Sequence, residues 1–170
     1  MSDSLFSTDV GMYAIWDSQS MKFVDSDKVY FQYFVEEKTM AALMNKGLCV
    51  IWFSGGDGNF KIIPRIKGSL SEKEESIIHK KSLNHKLIIT GDNVYFGSPE
   101  WTGYNEEEGL EKGNISKIEG LEKGIYSVDV YCLLRVEEGD KKFIDFVILL
   151  KPVEENNLFS TVETPSKLGY

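Results

Sequence analysis

Apolar and polar positions alternate along residues 126–136, with the apolar side chains on one side of the chain and the polar ones on the other. The apolar positions are Tyr126, Val128, Val130, Cys132, Leu134 and Val136. A period of two is typical of a strand with one buried face. A polar turn at 137–140 contains Gly139, and an apolar run follows at 143–150. The pattern predicts a long β-hairpin.

Shorter runs of the same kind predict further strands. They lie at residues 12–16, 29–35, 48–53, 60–66, 87–90, 94–96 and 115–118. The Gly-rich stretch 54–59 is expected to join strands 48–53 and 60–66 as a hairpin, and residues 91–93 to join the next two strands in the same way. Pro64 cannot donate a ladder hydrogen bond, which predicts an edge or bulge position for it.

Two segments have helical patterns. In residues 36–46 apolar side chains recur at helical spacing, and Gly47 stands where a helix ends. Ser71 and Glu74 form a capping-box pattern, in which each side chain bonds the other residue's backbone N–H. This pattern predicts a second short helix over residues 72–81.

Together these elements predict a mainly β fold: an antiparallel β-sandwich with two short helices. An open β-barrel is the competing architecture. The length of 170 residues suits a single domain over residues 1–170. Residues 1–9 and 156–170 are expected to be irregular tails, although apolar side chains near residue 160 offer points of attachment.

The charge of the chain is negative and uneven. The net charge of -8 argues against direct binding of nucleic acid, because neutralising phosphates needs Lys and Arg. Residues 61–86 carry seven basic and three acidic residues, a local charge of +4, whereas residues 100–122 carry seven glutamates and two lysines, a local charge of -5. The two stretches are either solvated surface segments or, for the acidic one, a docking element for a basic partner.

The location expected from the sequence is cytoplasmic. Residues 1–4 do not have the basic and apolar regions of a signal peptide, and the chain has no apolar stretch long enough to cross a membrane. Cys49 and Cys132 fall in apolar strand patterns, so we expect buried, reduced thiols rather than a disulfide.

No motif in the sequence indicates catalysis, a cofactor or a metal. The Gly-rich stretch 54–59 has the composition of a phosphate loop but stands between two strands rather than before a helix. His79 and His85 lack the Cys or carboxylate spacing of a zinc site and are expected at the surface. An enzymatic site assembled from Asp17, Asp57 and a histidine remains the least favoured alternative.

The long loop predicted at residues 98–113 is the best candidate for an interaction site. Trp101 in this loop is expected either to anchor it to the sandwich or to be an exposed residue of an interface. A loop of this length is often functional. The candidate partner-binding residues are Glu100, Trp101, Tyr104, Glu106, Glu107, Glu108 and Glu111.

Five segments, taken in order, resemble a family of small uncharacterised bacterial proteins known as a domain of unknown function. They are residues 11–17 (GMYAIWD), 48–62, 70–75 (LSEKEE), 85–101 (HKLIITGDNVYFGSPEW) and 120–131 (GLEKGIYSVDVY). Residues 87–131 are more distantly similar to the competence-protein-J type of nuclease inhibitor, through a strand, a loop and a Gly-x-Tyr strand entry. That resemblance implies a noncatalytic inhibitor and assigns no site residues.

The function expected from the sequence is therefore noncatalytic protein binding, as an inhibitor or immunity-type protein acting on a basic partner such as a toxin or nuclease. The alternative is a small-molecule or carbohydrate-binding β-sandwich that stacks its ligand on the loop aromatics Trp101 and Tyr104. A concave pocket lined by aromatics would favour the ligand binder, and a flat or convex acidic surface would favour the inhibitor.

Overall fold

The hairpin predicted near the end of the chain is present and forms the centre of one sheet. In the computed structural model, which describes residues 5–8 and 10–169, strand β8 (Gly124–Glu137) pairs antiparallel with β9 (Lys141–Val153) along its whole length. Gly139 and Asp140 close the turn with positive φ angles of 80° and 59°. The strand side chains predicted to face inward are buried from Tyr126 to Cys132, whereas Val136 near the turn is exposed.

Sheet A places this hairpin between other strands in the order β1-β4-β9-β8-β5. Its remaining strands are β1 (Leu5–Thr8), β4 (Gly58–Ile66) and β5 (Ile78–Ile89). Strand β4 runs parallel to β9, and the other pairs are antiparallel. Pro64 lies in the part of β4 that extends beyond the end of β1, which agrees with the predicted edge position.

Sheet B has the order β10-β3-β2-β6-β7. Its strands are β2 (Met12–Asp17), β3 (Cys49–Phe53), β6 (Val94–Gly97), β7 (Ile115–Lys117) and β10 (Ser166–Lys167). Aromatic rings join the two sheets across the core: the Tyr13 ring of β2 lies 5.7 Å from that of Phe60 and 6.1 Å from that of Phe146, both in sheet A. Such ring pairs stabilise a sandwich beyond the area they bury.

The prediction of a mainly β, sandwich-like fold is confirmed, with two differences. The sheets are mixed rather than wholly antiparallel, since β4 pairs parallel with β9 and β10 with β3. The described residues form four short α-helices instead of two: α1 (Asp27–Phe34), α2 (Glu37–Asn45), α3 (Glu72–Ser76) and α4 (Glu106–Glu111). Within the described residues, no helix is long and apolar enough to span a membrane.

The strand predicted at residues 29–35 is wrong, because this segment forms α1. The rings of Tyr30 and Phe34, four positions apart, stack at 4.9 Å and face the core. Phe31 and Val35 are exposed on another face of the helix. Apolar side chains on both faces of the segment are also typical of a buried strand. In the structure, Tyr30 and Phe34, which lie at helical spacing, are buried in the core.

The two short hairpins predicted in the middle of the chain are also wrong, although their strands exist. Strand β3 lies in sheet B and β4 in sheet A, and β5 and β6 are divided in the same way. The turns at 54–57 and 90–93 therefore carry the chain from one sheet to the other. A turn rich in Gly, Asp and Asn can either close a hairpin or carry the chain to the other sheet. Packing in the core decides which strand each of these strands pairs with.

The second predicted helix is shorter than expected. The Ser71–Glu74 capping box is present, with Glu74 N donating to Ser71 Oγ at 3.3 Å and Ser71 N to Glu74 Oε2 at 2.8 Å. Helix α3 ends at Ser76, however, and β5 begins at Ile78. The pairing of β5 with β8 outweighs the helical pattern of residues 77–81.

Both cysteines are buried and free, as predicted. Burial raises the pKa of the Cys49 thiol, and it raises that of Cys132 to about 11. The two tails predicted to be irregular are only partly so. Leu5–Thr8 form β1, which pairs with β4, and in the second tail Val162 and Leu168 are buried and β10 pairs with β3, whereas Leu158 is exposed. Asn45 fastens the tail through two hydrogen bonds to the backbone of Val162, of 2.7 and 2.9 Å.

Candidate functional site

The acidic segment predicted as a loop at residues 98–113 is largely helical. Two 3-10 turns, Pro99–Trp101 and Gly103–Asn105, lead into α4. Gly103 has a φ of +67°, and a Cβ there would lie 2.0 Å from the carbonyl oxygen of Val24. The neighbouring Tyr104 N donates to the same oxygen at 3.0 Å. The segment is therefore packed tightly against the connection between β2 and α1.

Trp101 anchors this segment to the core, the first of the two roles considered for it. Its side chain is half-buried and packs against the core cluster. A Cβ on Gly109 of α4 would lie only 2.7 Å from Trp101 Cβ, so the helix lies directly on the tryptophan. The Lys112 ammonium lies 5.0 Å from the centre of the ring. Gly109 and Lys112 therefore both pack against the Trp101 side chain.

Glu106 is also an internal contact rather than a free surface charge. Its Oε1 accepts a hydrogen bond of 2.8 Å from Trp16 Nε1, and its Oε2 accepts one of 2.5 Å from Ser18 Oγ. Trp16 is fully buried in β2. The carboxylate thus ties the first turn of α4 to sheet B, where a negative charge also favours the helix dipole.

Three other glutamates of α4 are exposed: Glu107, Glu108 and Glu111. Glu111 lies one helical turn beyond both of the others, so the three form one acidic face. Glu108 accepts from Lys112 at 2.5 Å, an exposed pair that neutralises part of this charge. Burial raises the pKa of Tyr95 on β6, and the charges of Glu106 and Glu107 add to that rise.

Glu100 is half-buried, unlike the exposed Glu107, Glu108 and Glu111 of α4. Burial raises the pKa of both Tyr13 and Tyr30, and the charge of Glu100 contributes to each rise. Its charge therefore acts on one tyrosine of β2 and one of α1.

Tyr104 connects the acidic helix to α1. Its ring is 44% exposed, and its hydroxyl donates a hydrogen bond to Asp27 in the first turn of α1. That hydrogen bond raises the pKa of Tyr104, and the charge of Glu108 adds to the effect. Tyr104 therefore lies beside both Asp27 and Glu108.

Helix α1 continues this surface with apolar side chains. Phe31, one turn beyond Asp27, is 60% exposed, and Val35, one turn further, is 63% exposed. Exposed large apolar side chains on one helix face indicate contact with another molecule when they lie together. We define the acidic–aromatic surface by these residues and the neighbouring segment: Asp27, Phe31, Val35, Tyr104, Glu107, Glu108 and Glu111.

Sequence reasoning found the acidic half of this surface and missed the α1 half. Tyr104, Glu107, Glu108 and Glu111 were predicted and are exposed, whereas Trp101 and Glu106 point inward. Phe31 was overlooked because residues 29–35 have the alternating pattern typical of a strand, and no local pattern relates Asp27 to Tyr104. The recurrence of aromatics at positions four apart was the available signal.

The residues of the alternative enzymatic site are not brought together. Asp17 lies at one end of β2 and is buried, where it accepts from Thr90 N at 3.0 Å and from Ser20 Oγ at 2.8 Å. Burial alone would raise the pKa of Asp17, but these hydrogen bonds outweigh it and hold the pKa below its usual value. Asp57 lies beyond the opposite end of β2, next to the Gly11 turn.

His85 is buried, which corrects the prediction of two surface histidines; His79 is exposed. The His85 Nε2 and Ser82 Oγ atoms lie 2.5 Å apart, and Ser82 Oγ lies 2.5 Å from Ser166 Oγ of β10. Burial lowers the pKa of His85, and the charge of Asp129 opposes the shift. Among the described residues, no cluster of three or more His, Cys, Asp or Glu side chains could hold a metal.

Comparisons with known proteins support the fold but identify no family for this chain. Neither protein-family models nor curated proteins gave a match. A solved structure described as "Crocagin biosynthetic gene J" is similar, with a TM-score of 0.52 and 12% sequence identity over 91% of this chain and 100% of that chain. At this identity the likeness concerns the arrangement of strands and helices alone.

Proposed function

We propose that this protein is a noncatalytic protein-binding module, an inhibitor or immunity-type protein whose partner has a basic surface, such as a toxin or nuclease in the cytoplasm. The observation that carries the proposal is the hydrogen bond from Tyr104 to Asp27. It joins the acidic face of α4 to the exposed apolar face of α1 in one surface.

The composition of the acidic–aromatic surface suits a protein interface. Exposed carboxylates in a chain of net charge -8 attract a basic partner and speed its encounter. Phe31 and Tyr104 provide large side chains that lose water on contact, the residue type that contributes most to binding. The charges would therefore set the association rate and the aromatics the lifetime of the complex.

The shape of the surface also favours a protein over a small ligand. Helices α1 and α4 present convex faces, and the Trp101 ring is occupied by Gly109 and Lys112. A sugar-binding site would need that ring as an open stacking platform. The resemblance of residues 87–131 to nuclease inhibitors of the competence-protein-J type points in the same direction, as an expectation from sequence.

The experiment is affinity capture from the native host, followed by kinetics with the purified captured protein at low and high salt. The test variant changes Glu107, Glu108 and Glu111 to Gln and leaves Glu106 in place because of its bond to Trp16. A control variant removes three exposed charges elsewhere, at Glu138, Glu154 and Glu155.

We expect the α4 variant to associate about tenfold more slowly at low salt and to lose much of its salt dependence, while the control variant keeps both. Capture of the same partners by both variants, with unchanged association rates and salt dependence, would exclude the acidic face as the binding element.

A further inference from the structure

The outer face of sheet A, remote from the core between the sheets, is unexpectedly apolar. Leu133, Val147 and Leu149 point away from that core and are nonetheless buried, beneath Leu70 and Ile77. The cover is small, because α3 has only five residues. A sheet face with this composition needs more cover than one helical turn provides.

The incomplete cover leaves a cleft on this face, which we call the outer cleft. Its main part has a volume of about 550 Å³ and has apolar walls formed by Ile63, Ile77 and Leu133. A smaller part of about 240 Å³ continues it toward Phe143. The two parts share the lining residues Leu5, Lys61, Arg135 and Asp145.

Two carboxylates that line the outer cleft are paired with arginines, of which Arg135 also donates to Glu137 at 2.6 Å. Arg135 donates to both oxygens of Asp145, at 2.5 and 3.2 Å. Arg65 donates to both oxygens of Glu74, at 2.6 and 2.9 Å. Paired bonds of this kind hold the side chains in place, and they offset the charge of Glu74 more fully than that of Asp145, whose arginine is shared with Glu137.

Exposed lysines add positive charge to the rim. Lys73 lines the main part of the outer cleft and Lys142 the smaller part, and both are exposed. In the part of the chain that the structure describes, neither forms an ion pair with a carboxylate. Lys61 lines both parts, and Asp57 lines the smaller one.

We infer that the outer cleft binds a small organic anion that has an apolar body. The apolar walls would take the body, and Lys73 and Lys142 would attract the anionic group. A volume of about 550 Å³ falls within the range of about 300–1,000 Å³ typical of ligand sites. The site is separate from the acidic–aromatic surface and independent of its proposed function.

The test uses two fluorescent probes of similar shape: 8-anilinonaphthalene-1-sulfonate, which is anionic, and N-phenyl-1-naphthylamine, which is neutral. The test variant changes Lys73 and Lys142 to Gln. A matched control changes Lys22 and Lys38, which are exposed and do not line the outer cleft. Surface Lys-to-Gln changes leave the fold intact, which circular dichroism verifies.

We expect the Lys73/Lys142 variant to bind the sulfonate roughly five- to tenfold more weakly, because it loses two charge contacts that solvent partly screens. The control should bind as wild type does, and the neutral probe should not distinguish the proteins. Unchanged sulfonate binding in the test variant, or an equal loss in the control, overturns the inference.

Backbone NMR with the sulfonate probe locates the site independently of the variants. Chemical-shift changes centred on Ile77 and Leu133, which line the outer cleft and not its apolar neighbour, support the outer cleft. Changes centred instead on Ile66 and Ile118, which line a neighbouring apolar cleft that shares Ile63 with the outer cleft, would overturn it.

Discussion

Glu106 and Trp16 lie 90 positions apart in the chain and are joined by a hydrogen bond of 2.8 Å from the Trp16 indole to the Glu106 carboxylate. Ser18 donates to the other carboxylate oxygen. One acidic side chain thereby fixes helix α4 on sheet B, and the neighbouring glutamates remain exposed. The same run of glutamates contains a structural residue and a candidate binding face.

Replacing Glu106 with Ala is expected to lower the free energy of unfolding by about 1–3 kcal/mol, because the buried Trp16 N–H loses its acceptor. Glu107→Ala, at the next position and exposed, should change it by less than about 0.5 kcal/mol. Urea denaturation measures both. Equal effects of the two changes would contradict the role of the Glu106–Trp16 bond.

The terminal hairpin should be the centre of stability. Val130 is fully buried in β8, so Val130→Asp places a charge without a partner in the core and is expected to cost several kcal/mol. Val136→Asp, on the same strand but 59% exposed, serves as the control. Thermal unfolding of the two variants should differ widely, and a Val130→Asp protein that melts within a few degrees of wild type would contradict the packing of β8.

The sequence predicts the parts of the fold that local patterns encode. The hairpin of β8 and β9 follows from its period of two and its Gly-containing turn, and the capping box marks the start of α3. The partners of the middle strands are not encoded locally: Ile62 of β4 pairs with Phe146, far along the chain, and the Gly-rich turn after β3 fits a hairpin or a crossover equally well.

The same limit applies to the candidate site. The glutamates and Tyr104 were visible as a concentration of charge and aromatic residues. The bond from Tyr104 to Asp27 and that from Trp16 to Glu106 join segments that no local pattern relates. They decide which acidic residues are exposed, so the division of the segment into structural and surface residues required the three-dimensional arrangement.

Cys49 and Cys132 should be unreactive in the native protein, since both thiols are buried and burial raises both pKa values. Titration with a thiol reagent is expected to find no reactive thiol under native conditions and two per chain in denaturant without reductant. Fewer than two in denaturant would indicate a disulfide and contradict the free, buried state.

Stability should fall in mild acid because of His85. Its pKa is lowered in the folded state, so the unfolded chain binds its proton more readily, and the stabilising effect is complete above the unfolded pKa of about 6.5 and is lost as the pH falls below it. Urea midpoints between pH 7.5 and 5 measure this loss. Carboxylates titrate over part of the same pH range, so the contribution of His85 is obtained by comparing the pH dependence of histidine variants with that of wild type.

His85→Gln is expected to flatten this pH dependence, because Gln keeps a polar group near Ser82 without taking a proton. His79→Gln, at the exposed histidine, should keep the wild-type profile. If both variants follow the wild-type curve, His85 is not the group responsible.

The proposed function makes a separate prediction for α1. Phe31→Ala should leave the association rate with the captured partner unchanged and raise the dissociation rate at least tenfold, because the side chain is uncharged and 60% exposed in the free protein. Phe143→Ala, 40% exposed on the hairpin of sheet A, is the control for loss of an exposed ring. Surface plasmon resonance separates the two rates. A Phe31→Ala protein that dissociates as slowly as wild type would remove α1 from the interface, and the acidic face of α4 would then have to bind its partner without this anchor.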